Sequence, residues 1–283
     1  ILLNGKEIFL KAVNIHEEVF DERLGCVRRA YSDEDARRLL SVAKEMGCNM
    51  VRLAHYPHSE HTVRLAEEMG IMVWDEIPVY QGIEFKNPKM CEKIERVMAE
   101  MVKRDKNRCA VIVWSLSNET WDSYENRTAF LTQLTPKCKA LDATRLVTHV
   151  VNTQGYNDNR FRLWDPLYAA CDFLCLNEYL GWYSPWQGEP SALAWDIEEN
   201  IARTAAGVGK PVFISEFGGE SKYQSNFGPK DAAGYWSEEY QADIYRKQIE
   251  MFRATREKAI QLQNTSITNQ KSSIINLSGV CPW

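Results

Sequence analysis

Apolar runs that stop abruptly at polar residues recur along this chain. Residues 110–114, AVIVW, are apolar without a break, and the stretch then ends in Asn118 and Glu119. Residues 210–216, KPVFISE, repeat the pattern and again stop on a glutamate, Glu216. A run that is apolar on both faces is typical of a buried strand in a parallel sheet, where chemistry lies just past the carboxyl ends of the strands. The pattern therefore predicts two buried strands that each present a carboxylate at the same end.

The rest of the pattern alternates short β-branched or aromatic runs with segments of helical period. The predicted strands are residues 9–16, 49–56, 71–78, 110–119, 145–151, 172–179, 210–217 and 279–283. The predicted helices are one between a Ser32 cap and Gly47, and residues 59–69, 88–107, 126–141, 166–170, 196–206 and 237–255. A doubly wound open sheet shares this alternation, but it usually has a glycine-rich turn after its first strand, and none stands here. The pattern therefore favours the α/β class and a closed (β/α)8 TIM barrel.

The last part of the predicted barrel departs from this alternation. Residues 256–278 are rich in Asn, Gln, Ser and Thr, which is typical of a surface insertion or flexible loop. No sequence for an eighth helix follows Trp283, so we expect an incomplete barrel formed by a single domain, residues 1–283. An uncovered edge of a parallel sheet favours pairing with another chain. We therefore predict self-association, with a homodimer as the simplest form.

Composition and charge narrow the classes of function. The 283 residues are 45% apolar and 26% charged, and the net charge of −5 is spread along the chain, which favours neither nucleic-acid nor membrane binding. No apolar run approaches the ~20 residues of a membrane-spanning helix, and we expect no signal peptide. The eight cysteines form no CxxC pair, so we expect free, buried thiols in a reducing compartment. Localisation is left open between a bacterial cytoplasm and periplasm.

Two other kinds of chemistry are disfavoured by the sequence. Three histidines are spaced by three residues, as metal ligands can be: His55, His58 and His61. Pro57 interrupts them and no carboxylate or cysteine completes the set, so we predict no metal and no cofactor. Ser115 and Ser117 have no His–Asp partner in a suitable context, which disfavours a serine hydrolase.

Two carboxylates at strand ends suit the hydrolysis of glycosides. One must protonate the leaving oxygen, while the other must stay ionised and attack or stabilise the anomeric carbon. Carboxylates that end the fourth and seventh strands of an eight-stranded barrel would face each other across one sugar. The alternative is that each glutamate forms a structural ion pair at the barrel rim, and finding two such glutamates weakens it.

Four segments resemble the signatures of glycoside hydrolase family 2. They are NMVRLAHYP (49–57) with the following EEMGIMVW (67–74), DKNRCAVIVWSLSNE (105–119), LNEYLGWY (176–183) and ISEFGG (214–219). The likeness extends over residues 3–245. It implies the TIM barrel of a group that includes β-galactosidases, β-glucuronidases and β-mannosidases, which are retaining exo-enzymes.

The resemblance implies roles for individual residues. Glu119 would be the general acid/base, Glu216 the nucleophile, and Asn118 a hydrogen-bonding partner of the sugar 2-hydroxyl. Tyr179 would donate a hydrogen bond to the nucleophile, and Arg52 would keep the nucleophile ionised by its charge. An acid and a nucleophile need opposite protonation states, so cationic and hydroxyl donors belong beside Glu216.

Other residues at strand ends are expected to line the pocket. By the resemblance, His55 would contact sugar hydroxyls and Trp283 would form one wall of the sugar pocket. Asp75 and Glu76 end the third strand, where they either line the pocket or brace Arg52. Aromatic rings in strand-end loops can stack on sugars, and although each alone is better explained by packing, the set together favours a carbohydrate cleft: Trp121, Trp182, Tyr183, Trp186 and Trp236.

The choice of sugar stays open at this point. The family's usual N-terminal β-sandwich and immunoglobulin-like domains are expected to be absent, as is an Asn-x-Lys element that reads the substrate carboxylate in β-glucuronidases. The leading hypothesis is a retaining exo-β-glycosidase with a carbohydrate partner, acting on terminal β-D-galactosides or β-D-glucuronides. The alternative is a truncated barrel that binds sugar without turnover, and the presence of both Glu119 and Glu216 argues against it.

Overall fold

The structure is a computed structural model that describes most residues of the chain. The described residues are 1–21, 23–29, 31–121, 124–152, 165–179, 181–182, 210–222, 236–264 and 277–283. The chain divides into two compact units. The first unit comprises residues 9–151 and 166–173, and the second comprises residues 1–8, 152–165 and 174–283.

Five parallel strands form the sheet of the first unit. They are β1 (Leu10–Ile15), β2 (Met50–Leu53), β3 (Met72–Glu76), β4 (Val111–Trp121) and β5 (Leu146–Asn152). Each strand pairs with the next one along the chain, and all four pairings are parallel. All five were predicted, and β4 extends two residues past its predicted end. Its extra length carries the chain beyond Glu119 to Trp121.

Four helices connect these strands, and their ends follow the capping signals in the sequence. They are α1 (Asp33–Glu45), α2 (Glu60–Glu68), α3 (Pro88–Asp105) and α4 (Tyr124–Leu141). Ser32 accepts a hydrogen bond from the backbone of Asp35, whose side chain bonds back to Ser32, as the predicted cap requires. Pro88 occupies the first turn of α3, where its missing N–H costs nothing.

Short elements complete the first unit. An antiparallel pair, Val19–Asp21 with Cys26–Arg28, follows β1. The strand Tyr80–Gly82 lies parallel to the end of β4, with Tyr80 opposite Asn118. Residues Pro166–Ala170 form a 3-10 helix where a short helix was predicted.

The core of the first unit lies between the sheet and its helices. Val51 and Val73 from the strands are fully buried against Leu40 of α1, Met98 of α3 and Leu134 of α4. Each such side chain contributes roughly 1.5–3 kcal/mol by leaving water. Alternate strand residues point to the other face of the sheet, and that face carries the polar side chains of the site.

The second unit holds three parallel strands and one long helix. They are β6 (Leu174–Asn177), β7 (Val212–Glu216), α5 (Glu238–Asn264) and β8 (Leu277–Val280). The strands pair in the order β6, β7, β8. A hairpin, Leu2–Leu3 with Lys6–Glu7, belongs to the same unit.

The predicted polar loop at residues 256–278 is wrong at both of its ends. α5 continues to Asn264 and β8 begins at Leu277, while residues 265–276 lie outside the described part. The segment REKAIQLQN is built largely from strong helix formers, so it extends α5 although its apolar period is weak. The predicted helix at 196–206 also lies outside the described residues. Within the described ranges, none of the helices combines the length and apolar character that crossing a membrane requires.

Candidate active site

The ends of β2, β3 and β4 bring Arg52, Glu76 and Asn118 together in the first unit. Arg52 and Glu76 are fully buried. Arg52 Nε donates to Glu76 Oε2 at 3.0 Å, and Arg52 Nη2 donates to Glu76 Oε1 at 3.1 Å. Nη2 also donates to Asn118 Oδ1 at 2.9 Å, and Nη1 donates to Asn14 Oδ1 at 3.1 Å. We call Asn14, Arg52, His55, Glu76 and Asn118 the arginine cluster.

Glu76 accepts two further hydrogen bonds within this cluster. The indole Nε1 of Trp74 donates to Oε2 at 3.0 Å, and His55 Nδ1 lies 2.7 Å from Oε1. Burial alone would raise the pKa of Glu76, but the charge of Arg52 and the hydrogen bond from His55 outweigh it and lower the pKa to about 2. Glu76 is therefore a carboxylate at neutral pH. It braces Arg52, which is one of the two roles that the sequence analysis left open for it.

Asp75, the neighbouring carboxyl on β3, turns the other way. Its Oδ1 accepts from the backbone N–H of Glu76 at 3.1 Å. The same carboxyl group lies next to the carboxylate of Asp105 and near Arg104. Burial and then the charge of Asp105 raise the pKa of Asp75 well above its usual range. The predicted role of Asp75 as a substrate-binding residue or brace is corrected, because successive residues of a strand face opposite sides and the inward carboxylate is Glu76.

His55 lies at the edge of the arginine cluster, with 12% of its side chain exposed. Its ring lies 5.4 Å from that of Tyr80 and 5.6 Å from that of His16, measured between centroids. With Nδ1 on Glu76, the imidazole has a fixed orientation. Its predicted contact with sugar hydroxyls stays a prediction.

Glu119 follows Asn118 on β4 and adopts a left-handed backbone conformation, with φ of +48°. Asn118 and Thr120 are buried, while Glu119 is half-buried and Trp121 is 61% exposed. This alternation turns Glu119 and Trp121 toward the open side of the strand end. The position suits a group that exchanges protons with a bound molecule.

In the second unit, the site residues lie at the ends of β6 and β7. Tyr179 donates its phenol hydrogen to Glu216 Oε2 at 2.8 Å, which is the hydrogen bond that the resemblance implied between these residues. The backbone N–H of Glu178 donates to the carbonyl of Glu216, and Ser215 Oγ donates to Asn177 Oδ1 at 2.7 Å. Glu216 is 4% exposed. We call Tyr179 and Glu216 the tyrosine pair.

Two glycines after Glu216 allow aromatic rings to pack closely beside it. A Cβ at Gly218, where φ is +122°, would lie 2.2 Å from the Tyr245 ring, and one at Gly219 would lie 2.7 Å from the Trp182 ring. Trp182 is buried and packs on Ile244. Trp182 thus supports the chain behind Glu216, and its predicted contact with a sugar stays a prediction.

Trp283 follows β8 and is held through its backbone. Its N–H donates to the carbonyl of Phe217 at 3.0 Å, and its carbonyl accepts from the Tyr245 hydroxyl at 2.5 Å. Its role as a pocket wall stays a prediction. Of the rim aromatics, Trp121 and Trp236 are exposed, while Tyr183 and Trp186 lie outside the described residues.

One buried polar network was not predicted from the sequence. His149 Nδ1 lies 2.9 Å from Ser117 Oγ, and Nε2 lies 3.0 Å from Thr135 Oγ1. Burial lowers the pKa of His149 to about 3, so the ring is neutral at pH 7. The third member is a threonine rather than a carboxylate, so this is not a hydrolase triad. The pairing of β4 with β5 brings Ser117 and His149 together, and a sequence alone does not show that register.

Other candidate chemistry is limited in the part of the chain that the structure covers. There, no three His, Cys, Asp or Glu side chains are grouped so that they could hold a metal ion. All eight cysteines are free thiols, but the expected burial is wrong for Cys26 and Cys109, which are exposed.

Comparisons with known proteins agree on one family. The model of glycosyl hydrolases family 2, TIM barrel domain, matches residues 1–271. The β-glucuronidase of Sus scrofa is 30% identical over 249 residues, which cover 87% of this chain and 36% of that protein. The β-glucuronidase of Rattus norvegicus is 32% identical over 246 residues, with coverages of 86% and 35%. This chain thus spans about a third of the length of these relatives.

Solved structures show the same fold. The β-glucuronidase from Ruminococcus gnavus in complex with D-glucuronic acid matches with a TM-score of 0.79 at 25% identity, covering 100% of this chain and 43% of that one. The Bifidobacterium dentium β-glucuronidase complexed with coumarin-3-O-glucuronide matches at 0.78 and 23% identity, with coverages of 100% and 41%. The predicted (β/α)8 TIM barrel is confirmed, and the chain belongs to glycoside hydrolase family 2.

Proposed function

We propose that this chain is the catalytic barrel of a retaining exo-β-glycosidase that acts on terminal β-D-glucuronides. The observation that carries the proposal is the 2.8 Å hydrogen bond from Tyr179 to Glu216, at the end of a buried strand in a family 2 barrel. A phenol donor holds the carboxylate in one orientation, as a nucleophile needs, without cancelling its charge.

The proposed reaction has two steps. First, a Glu216 oxygen attacks the anomeric carbon while Glu119 donates its proton to the glycosidic oxygen, so that a covalent glycosyl–enzyme forms and the aglycone leaves. Second, Glu119 takes a proton from water as that water attacks the anomeric carbon and releases Glu216. The anomeric configuration is inverted twice and therefore retained.

Asn118 supports this assignment from the first unit. Arg52 fixes its side-chain amide through a 2.9 Å hydrogen bond to Oδ1. A fixed amide beside the acid/base glutamate suits donation to the sugar 2-hydroxyl, a contact that strengthens in the transition state. The predicted action of Arg52 on Glu216 belongs to this proposal.

The choice of glucuronide comes from the relatives. The two mammalian relatives are β-glucuronidases, and the Ruminococcus gnavus enzyme is described in complex with D-glucuronic acid. The family 2 motifs alone do not separate glucuronides from galactosides, so both sugars belong in the test.

The sugar is tested with p-nitrophenyl β-D-glucuronide and p-nitrophenyl β-D-galactoside side by side. We expect p-nitrophenol release from the glucuronide. Release from the galactoside alone would keep the mechanism and overturn the proposed sugar. No release from either, with binding of D-glucuronic acid retained in calorimetry, would favour a barrel that binds sugar without turnover.

The roles of the two glutamates are tested by azide rescue. Glu216→Gly should lose activity by about 10⁴-fold or more, and added azide should yield an α-glycosyl azide. Glu119→Gly should instead yield a β-glycosyl azide from an aryl glycoside, because its nucleophile remains. Glu220→Gly, at an exposed position four residues on, is the matched control and should keep its activity. A β product from Glu216→Gly would contradict the assigned roles.

A further inference from the structure

The carboxylate of Glu76 is fully buried and its acceptor positions are occupied by protein donors. Both oxygens are buried, and together they accept from Arg52 Nε, Arg52 Nη2, Trp74 Nε1 and His55 Nδ1. Three different side chains therefore converge on one carboxylate. None of the roles proposed above for the reaction uses Glu76.

The consequence for Arg52 is a single orientation of its guanidinium. The group is planar and carries its N–H donors in a rigid fork. The two oxygens of Glu76 accept hydrogen bonds from Nε and from one hydrogen of Nη2, which is a two-point contact. The second hydrogen of Nη2 then points in one direction, and Asn118 Oδ1 lies there at 2.9 Å.

The consequence for Asn118 is a defined orientation of its amide. If the amide were rotated by 180°, its NH2 group would face the donors of Arg52, which is a repulsive arrangement. With Oδ1 held by Arg52, the NH2 end points away from the guanidinium. That end can donate a hydrogen bond but cannot accept one.

We propose that Glu76 is a positioning residue that acts through Arg52 to fix Asn118 with its NH2 end toward the substrate, where it donates to the sugar 2-hydroxyl. The inference rests on the proposed glycosidase function for its substrate contact. Its structural half is the fixed orientation of the Asn118 side-chain amide, which does not depend on turnover. The two halves can therefore be tested separately.

The kinetic test uses Glu76→Gln, which keeps the shape of the side chain but sets an amide against the Arg52 fork. Its kcat/KM for an aryl β-glycoside should fall ~100-fold, while that for the corresponding 2-deoxyglycoside should fall less than ~3-fold. A general loosening of the fold would lower both alike and would overturn the proposal. Asp75→Asn, a change in the neighbouring buried carboxyl on the opposite face of β3, should not alter the ratio of the two rates.

Arg52→Lys is a second variant in case Glu76→Gln fails to fold. It keeps the positive charge and removes the two-point contact. The same selective loss for the substrate that carries the 2-hydroxyl is expected. Equal losses for both substrates would argue that the fork does not position Asn118.

The structural half is tested by NMR of the Asn118 side-chain amide in ¹⁵N-asparagine-labelled protein, with Asn118→Asp identifying the signal. In the parent chain, the two amide hydrogens should be distinct and slow to exchange with water. In Glu76→Gln they should broaden and exchange faster, and in Asp75→Asn they should not change. An unchanged signal in Glu76→Gln would overturn the inference. If the parent chain hydrolyses neither sugar, the proposed function fails, and this measurement still decides whether Glu76 locks the amide.

Discussion

Glu76 in the first unit and Glu216 in the second are both buried carboxylates at the end of a parallel strand, yet they meet different kinds of donor. Glu76 receives a guanidinium in a two-point contact, together with an indole and an imidazole. Glu216 receives the neutral phenol of Tyr179. The arginine cluster thus joins opposite charges, whereas the tyrosine pair joins a carboxylate to a neutral donor.

The difference corresponds to two uses of the same functional group. A carboxylate bound at both oxygens by a cation is a fixed structural anchor, because each of its acceptor sites is occupied and strongly bound. A carboxylate oriented by a neutral hydroxyl keeps more of its reactivity as a nucleophile. Under the proposed function, Glu76 would be the positioning carboxylate and Glu216 the reacting one.

The largest expected effect comes from removing the cation of the arginine cluster. Arg52→Met leaves Glu76 as a buried charge without its ion pair, so the free energy of unfolding should fall by about 3–5 kcal/mol. Urea unfolding followed by fluorescence measures the loss. Arg64→Met is the matched control, because its pair with Glu60 is largely exposed and should change stability by less than ~0.5 kcal/mol. Equal losses in the two variants would show that Arg52 is no more important than a surface arginine.

The next effect concerns the tyrosine pair and should appear in rate rather than stability. Tyr179→Phe removes the 2.8 Å hydrogen bond to Glu216, so kcat should fall by about 10–100-fold while the urea midpoint changes little. Tyr240→Phe is the control, since its hydroxyl donates to the carbonyl of Gly181 at 2.7 Å in the same unit. A similar loss of kcat in both variants would place the effect of Tyr179 in packing.

The smallest effect is a difference in response to acid. The lowered pKa of Glu76, about 2, means that its contribution to stability is present above its unfolded value and is lost only as pH falls from ~4.5 toward 2. His149 has a pKa lowered to about 3, so the unfolded state binds its proton first and stability falls already below pH ~6.5. At pH 5 the cost from His149 is roughly 2 kcal/mol relative to pH 7.5.

Urea unfolding at pH 7.5, 6, 5 and 4 measures this sequence of events. Burial also lowers the pKa of His58, to about 4, so His149→Gln should remove about half of the loss between pH 6.5 and 5, whereas His61→Gln, at an exposed position, should leave it unchanged. A loss that starts only below pH 4.5 would mean that the carboxylates, and not His149, set the acid limit.

The strand ends were predictable because their signal is local. Apolar runs that stop at Asn118 and at Glu216 identify buried strands and the polar groups that end them. The Ser32 cap was predictable for the same reason. These features depend on a few consecutive residues and on the chemistry of those residues alone.

The choice between Asp75 and Glu76 was not predictable from the sequence, because it depends on which face of β3 points inward. Both residues follow the apolar pair Val73 and Trp74, which are buried on opposite faces, so no polar alternation marks the inward side. The parallel pairing of β3 with β2 sets Arg52 opposite Trp74 and decides the matter. Register of this kind is a tertiary property.

The positive φ of Glu119 has a consequence for protein engineering. In that conformation a residue with a Cβ is disfavoured by roughly 1 kcal/mol relative to glycine, so the backbone conformation at this position favours glycine over glutamate. A laboratory selection for heat resistance without a test of turnover would favour Glu119→Gly. Thermostabilised descendants of this chain would then accumulate the one substitution that silences the proposed acid catalyst.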